Sequence, residues 1–535
     1  MKKVISLFLC LYSLHSFSQA PMIAWQKLIG GNNMEDAFYS FNYKNGNLFL
    51  VASSNSNISG DKTENSRGSY DYWMVKADVN GAITWDKTMG AGAVTTFGPD
   101  TDIVSSVFES SDGRVLVGGF SESNISGEKT EVSRGDYDYW ILNLNSDGDI
   151  QWDKTLGGEG LDTVTDFFET TDGNYVVAGT SQSSITGDKT EASRGGADLW
   201  ILKLNISGNI IWQKAIGGSG FDILTKIVPT VDNGFIVASS STSNISGEKT
   251  ENSYGAGDFW IIKLDVNGVI QWQKTLGGSG VDSPFSIIKT VDGGYIVGGR
   301  SNSSISGLKT ENSRGLYDFW IVKLTATGEI MWQKTIGGSN DDTLTQIHQC
   351  IDNGYIITGT TLSPISGDKT EATKGDYDAW VVKVDENGNI QWQKDIGGSN
   401  YDGLEWVTQL ADGSFILGGG SNSSNSFDIT ETNHGQNDIW VVKLNPENLA
   451  TTGFEVLQNA NLYPNPTYGI ITIDFESLVD NFTVTVSNLL GQNISKDDFS
   501  NLSTLQIPIV GQSGVYFVTI QTKLGARKVF KVIKD

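Results

Sequence analysis

"FSIIKTVDGGYIVGG", residues 285–299, sets two apolar runs on either side of Asp-Gly-Gly. Short β-branched and aromatic runs around a glycine-rich turn read as a β-hairpin. A second hairpin follows in "YDFWIVKLTATGEIMWQKTIGG" (317–338), turning at "TATGE". Between them lies the longer polar loop "RSNSSISGLKTENSRGL" (300–316). No stretch of this unit, 281–340, shows the 3.6-residue period of an amphipathic helix, so it reads as four strands.

The unit recurs. Fourteen of the fifteen tryptophans fall into two ladders, Trp25, Trp85, Trp152, Trp212, Trp272, Trp332, Trp392 and Trp73, Trp140, Trp200, Trp260, Trp320, Trp380, Trp440. The step is 60 residues except for one step of 67 in each ladder. Seven copies of a four-stranded unit predict a seven-bladed β-propeller. The array begins with a lone outer strand, "IAWQKLIGG" (23–31), and ends at a third strand, "DIWVVKLNPEN" (438–448). The N-terminal strand can therefore complete the last blade and close the ring, which leaves no unpaired edge at the seam.

The joints between units hold a motif with a second reading. GGEGLD (157–162), GGSGFD (217–222) and GGSGVD (277–282) fit the G-G-x-G-x-D of calcium-binding β-rolls. A roll repeats that motif about every nine residues, whereas here it returns once per unit, twice as GGSNDD (337–342) and GGSNYD (397–402). A backbone joint between blades is the favoured reading and calcium the alternative. No metal and no cofactor is expected.

These units resemble bacterial seven-bladed propeller repeats that carry "W…GG…D" followed by "DGGYIVGG". Their second hairpin is similar to the "LD…TG…W" repeat of quinoprotein-like propellers. The resemblance spans residues 21–446 and implies a fold, not an activity. After a linker at 447–461, residues 462–535 resemble the type A C-terminal sorting domain of the type IX secretion system. Tyr463-Pro464-Asn465-Pro466, "NLLGQ" (488–492), Gly514-Val515-Tyr516-Phe517 and the basic end carry that likeness. It implies an Ig-like β-sandwich and a Gram-negative source. It also implies the type IX machinery as partner, and release or display at the outer-membrane surface after passage through the periplasm. An ordinary Ig-like module is the alternative.

Composition narrows the functional classes. The net charge is −25, and two units more negative without Lys2 and Lys3. Such a surface repels nucleic acid and anionic membranes. Residues 1–20 read as a signal peptide, with Lys2 and Lys3 before the apolar Val4–Leu14. No later run of 18 apolar residues predicts a membrane span. Beyond the leader Cys350 is the one cysteine, which excludes an internal disulfide. It stands where other copies have Ser110, Thr170, Thr230 and Thr290, as a small buried residue would.

Residues shared by every copy are expected to build blades. The Asp of Asp-x-Trp (Asp71, Asp138, Asp198, Asp258, Asp318, Asp378, Asp438) can accept backbone N–H groups. The Lys-Thr-Glu loop, with Ile429 in place of its seventh lysine, reads as a brace or as a shallow binding site in each blade. Two histidines beyond the leader, His348 and His434, are too few for a multi-histidine metal centre. Function is sought where copies disagree. One such place is the joint "GAGAVTTFGPD" (90–100), which holds the seven extra residues. The other is the column fourteen residues past the first-ladder tryptophans, Tyr39, Ser106, Asp166, Lys226, Ser286, Gln346 and Trp406. Tyr39, Asp166, Lys226, Gln346 and Trp406 are candidates for a ligand site at the channel mouth, against neutral drift in a wet channel. No catalytic residue stands out. A non-catalytic module binding an extracellular glycan or protein is expected, with a polysaccharide lyase or hydrolase as the alternative.

Overall fold

The structure is a computed structural model that describes residues 20–44, 46–92, 101–447, 457, 460–479, 481–522 and 527–535. Residues 1–19 of the expected leader (1–20), residues 93–100 of the long joint and most of the linker lie outside the described residues, as does the side chain of Tyr39. Two compact units are present, Met22–Pro446 and a unit containing Glu447–Asp535.

The larger unit contains seven four-stranded antiparallel sheets. The fifth shows the pattern, with strands Asp282–Lys289, Tyr295–Ser301, Asp318–Leu324 and Ile330–Ile336 from the axis outward. Asp282 pairs with Ser301, and Ser301 with Asp318. The blade joint and the long loop therefore lie at one end of each blade, and the two tight turns at the other.

Ring closure follows from the seventh sheet. Its first three strands are Asp402–Gln409, Phe415–Ser421 and Asp438–Leu444, and its fourth is Ile23–Ile29. The N-terminal strand pairs from Ile23 opposite Leu444 to Ile29 opposite Ile439. The same interblade bond then recurs right round the ring. Each innermost strand starts by donating its N–H to the residue before Asp-x-Trp of the preceding blade. Asp342 N–H to the Tyr317 carbonyl is 2.8 Å, and Glu35 N–H to the Asn437 carbonyl, across the seam, is 3.0 Å. This is a closed seven-bladed β-propeller.

The tryptophan ladders differ in burial for a geometric reason. The third-strand set, Trp73 to Trp440, has no solvent contact to speak of, since each indole is sandwiched between neighbouring sheets. Tyr72 lies 4.8 Å from Trp140 and Phe319 5.0 Å from Trp380, ring centre to ring centre. Burying such rings supplies a few kcal/mol each. Their N–H groups still need acceptors. Trp200 and Trp260 find them in Gln213 and Gln273 on the outer strand, and Trp440 finds Gln26 on the closing strand.

The glycine-aspartate motif proves to be a joint. A Cβ on Gly157 would lie 1.8 Å from Asp138 Oδ1, so only glycine lets the chain pass that carboxylate. The next glycine, Gly158, donates its N–H to Asp162 Oδ2 at 2.7 Å, and Ser183 Oγ donates to the same oxygen at 2.7 Å. The motif's aspartate holds its own joint.

The smaller unit is an Ig-like sandwich. One sheet pairs Asn461–Tyr463 and Leu502–Pro508 with Ile470–Val479. The other orders Asn493–Phe499, Phe482–Asn488, Gly514–Thr522 and Arg527–Lys534. Ile471, Ile473, Phe475, Val484, Val486, Val518 and Ile520 fill the space between. Asn465 of the Tyr-Pro-Asn-Pro segment donates to the Lys531 carbonyl and accepts from Ile533 N–H. Tyr516 Oη reaches the Gln512 carbonyl. No helix among the described residues is long and apolar enough to cross a membrane.

Candidate binding face of the propeller

All long loops share one face, and each is tied to the outer strand beside it. Thr190 N–H donates to Gln213, and Glu191 accepts the N–H of Ala215. At the seam Glu431 accepts the N–H of Leu28 in the same way. The glutamates thus cover N–H groups that an outer strand would otherwise leave bare. Basic residues then link neighbouring blades, Arg67 to Glu128 at 2.8 Å, Arg194 to Glu248 at 2.7 Å and Arg314 to Asp368 at 3.1 Å. One link is apolar. Tyr254 takes the basic position, packs against Gly307, and faces Leu308 where the acid would stand. The last link, from His434 to Asp61, spans the seam at 3.8 Å. There a cleft of about 490 Å³ is lined by Lys27, Asp61, Asn80, Glu431 and His434 among others.

The loop tips carry exposed apolar side chains in every blade. Ile58, Ile125, Ile185, Ile245, Ile305, Ile365 and Phe427 are each more than half exposed. The turns beneath them are fixed. Lys249 N–H bonds the Ser246 carbonyl at 2.9 Å, Glu248 N–H bonds the Gly217 carbonyl of the preceding joint, and Asn252 accepts the N–H of Ile245.

The channel column forms links between innermost strands. Each of these strands has a β-bulge or register shift, and in the fourth, sixth and seventh blades the residue just past it donates to a column side chain of the preceding blade. Ile227 N–H reaches Asp166 Oδ2 at 3.3 Å, Ile347 N–H reaches Ser286 Oγ at 3.1 Å, and Val407 N–H reaches Gln346 Oε1 at 2.8 Å. The structure brings Asp166 and Lys226 together, 3.2 Å apart, with Ser106 Oγ donating to Asp166 as well. Asp166 is buried, whereas Lys226 is 41% exposed. Trp406 is half-buried and packs against the apolar cluster of the seam, with Leu48, Leu50 and Ile416.

Titratable groups concentrate inside the blades. Burial pushes the Asp138, Asp198, Asp258 and Asp318 carboxyls up to about 6. The sixth blade is unusual, because Asp395 stands where other blades have Thr88, Thr155, Ala215, Thr275 and Thr335. It lies 2.5 Å from Lys369 and 2.8 Å from Lys374, all but sealed from solvent. Burial first, and the Asp395 carboxylate second, push Asp378 well above the carboxylate range.

One group was missed by the column reading. Arg300, on the second strand of the fifth blade, has its guanidinium 4.7 Å from the Tyr317 ring centre and 5.8 Å from that of Phe285. Equivalent positions hold Ser53, Phe120, Thr180, Ser240, Thr360 and Gly420. A lone arginine in such a column was a readable signal.

Residues 461–535 match the family described as the secretion system C-terminal sorting domain. The molecule is thus an exported β-propeller bearing a type IX sorting tail, which directs a protein to the cell surface or the medium. Regulatory protein FlaEY of Caulobacter vibrioides is 25% identical over 404 residues, 68% of this chain and 40% of that protein. The chain therefore spans well under half of that relative. Among solved structures, BBS1N in complex with ARL6DN aligns with 80% of this chain and 97% of its own at 10% identity, TM-score 0.40. Puromycin hydrolase covers 75% of this chain and 52% of its own at 13% identity, TM-score 0.37. None of these likenesses says what the propeller binds or does.

Proposed function

We propose that the propeller is a non-catalytic module that binds an extracellular glycan or protein once the sorting tail has delivered it. The observation that carries this reading is the loop-bearing face, where seven apolar tips project from turns tied down by backbone hydrogen bonds. An exposed apolar side chain repeated on every blade of a rigid support offers several equivalent points of contact to one extended partner. Asp166, Lys226, Gln346, Trp406 and Tyr39 are the channel-side candidates, with the Asp166–Lys226 pair offering both a donor and an acceptor. Asp378 and Asp395, the carboxylates that the sixth blade brings together, are buried, which favours binding over acid–base chemistry on a polymer. The test is a glycan array and an extracellular-protein capture with the purified full chain. A ligand that binds and is recovered intact after long incubation supports the module. A ligand that is cleaved makes the protein a lyase or hydrolase.

A further inference from the structure

Arg300 does none of the structural work of its position. In two other blades that position supplies a hydroxyl that caps the next innermost strand, Ser53 accepting from Val104 N–H and Thr180 from Leu224 N–H, at 3.0 and 3.1 Å. The Arg300 side chain accepts nothing, and it makes no hydrogen bond or ion pair among the described residues. Its Nε is buried without a partner. The other five arginines of the propeller, Arg67, Arg114, Arg134, Arg194 and Arg314, all pair with carboxylates. An unpaired guanidinium in a chain of net charge −25 stands in a field that favours neutralising it. It nonetheless forms no ion pair within 4.0 Å with any carboxylate of the described residues.

Its surroundings hold it still. Arg300 lies opposite Ser283, one register position from the end of the blade that carries the joint and long loop. Phe285 is the bulged residue of the innermost strand and Tyr317 immediately precedes the third strand. The Tyr317 backbone is itself pinned by Asp342 N–H. Two rings around a planar guanidinium fix its orientation, so less freedom is lost when a ligand binds. From the sixth blade, Asp341 and Tyr377 lie near enough that the charges of both Asp341 and Arg300 act on the Tyr377 hydroxyl. The Tyr377 hydroxyl is pushed up by burial and then by Asp341, and is drawn down by Arg300. Asp341 also has a buried Oδ1 with no hydrogen-bond partner. Phe285 is 36% exposed and offers a flat apolar surface beside the charge.

We propose that Phe285, Arg300, Tyr317, Asp341 and Tyr377 form a subsite for the carboxylate of an acidic sugar, so that the ligand is a uronate-bearing polysaccharide. This rests on the binding-module reading and deepens it. The guanidinium fork matches a carboxylate in two parallel hydrogen bonds. Asp341 is an acceptor for the hydroxyl groups such a sugar also carries, and Phe285 meets its ring face. A neutral glycan offers the guanidinium only hydroxyl acceptors, which make weaker bonds than a carboxylate does.

The test is titration calorimetry of the full chain with galacturonate, mannuronate and glucuronate oligomers and with their carboxyl-reduced, neutral counterparts. At least one uronate oligomer should bind, and its neutral counterpart at least tenfold more weakly. Arg300→Thr, which installs the residue of the third and sixth blades, should weaken uronate binding at least tenfold at unchanged melting temperature. Arg300→Lys should recover only part of the affinity, because the fork is lost. Equal uronate affinity for wild type and Arg300→Thr would overturn the subsite while leaving the module reading standing. Binding of a neutral glycan, a protein or an acidic peptide with no uronate binding would overturn the ligand class in the same way. Absence of any ligand in the glycan and protein screens would bring down the module reading with it.

Discussion

Phe427 occupies a backbone position that its six equivalents give to glycine. Gly60, Gly127, Gly187, Gly247, Gly307 and Gly367 have φ between 54° and 58°, and Phe427 has φ 48°. A side chain in the left-handed region costs roughly 1–2 kcal/mol, and Phe427, at 68% exposed, recovers little of that by burial. Phe427→Gly should therefore stabilise the propeller by about 1 kcal/mol, less whatever the freer unfolded chain gives back, read as a higher urea midpoint. An unchanged or lower midpoint refutes the strain. Asp395 is a second residue that breaks its repeat. Its carboxylate helps burial raise Asp378 above its ordinary 3.8. A raised folded pKa means that the contribution of Asp378 is complete below about pH 4 and is lost as pH rises towards neutrality. Asp395→Thr removes the like charge and leaves Lys369 a hydroxyl, as Thr88 serves Lys62 at 2.8 Å. Between pH 5 and 8 the variant should lose less stability than wild type, by an amount on the order of 1 kcal/mol. Parallel profiles would remove Asp378 from the account.

Strands Ile23–Ile29 and Asp438–Leu444 are the pair on which the ring depends. The closing strand reproduces two ties of an ordinary fourth strand, with Gln26 holding Trp440 and Leu28 N–H held by Glu431. Deleting residues 21–31 should lower the melting temperature by many degrees, since it exposes the third strand and strips Trp440 of its acceptor. Gln26→Ala alone should cost about 1–3 kcal/mol, the price of one buried donor left without a partner. A deletion that melts with wild type would contradict closure. This pairing was legible in the sequence because period and truncation are both properties of spacing. The tryptophan ladders gave strand order, and the complementary ends gave the seam. Side-chain partners were not legible in the same way. Asp166, Ser286 and Gln346 vary in type yet serve one geometry, because any acceptor of suitable length can meet the N–H past a bulge. Variation in that column therefore signalled tolerance as readily as function. Arg300 was legible as the lone charge of its column, and the packing of Phe285 and Tyr317 around it, which the sequence does not show, marks the place as a candidate site.

At the scale of the whole molecule, two kinds of information are kept in two compact units. The propeller's core is assembled from clusters shared by neighbouring blades, such as Ile296, Phe319, Ile347, Trp380 and Val382. The sandwich has its own core around Phe475, Phe482 and Val518. Neither core borrows a residue from the other unit, so each should fold alone. Address and the proposed binding then separate. The sorting tail presents its motif on ordered backbone, with Asn465 bonded to Lys531 and Ile533 and Tyr463 half exposed. That exposure leaves the motif open to the translocation machinery. Removing residues 458–535 should leave a propeller with the melting temperature of the intact protein's larger unit, held in the periplasm because nothing directs it across the outer membrane. Cell fractionation and scanning calorimetry check the two halves together. Equal amounts in the medium or on the surface with and without the tail would contradict its role as an address. A propeller that no longer melts cooperatively would show that the two units share their stability after all.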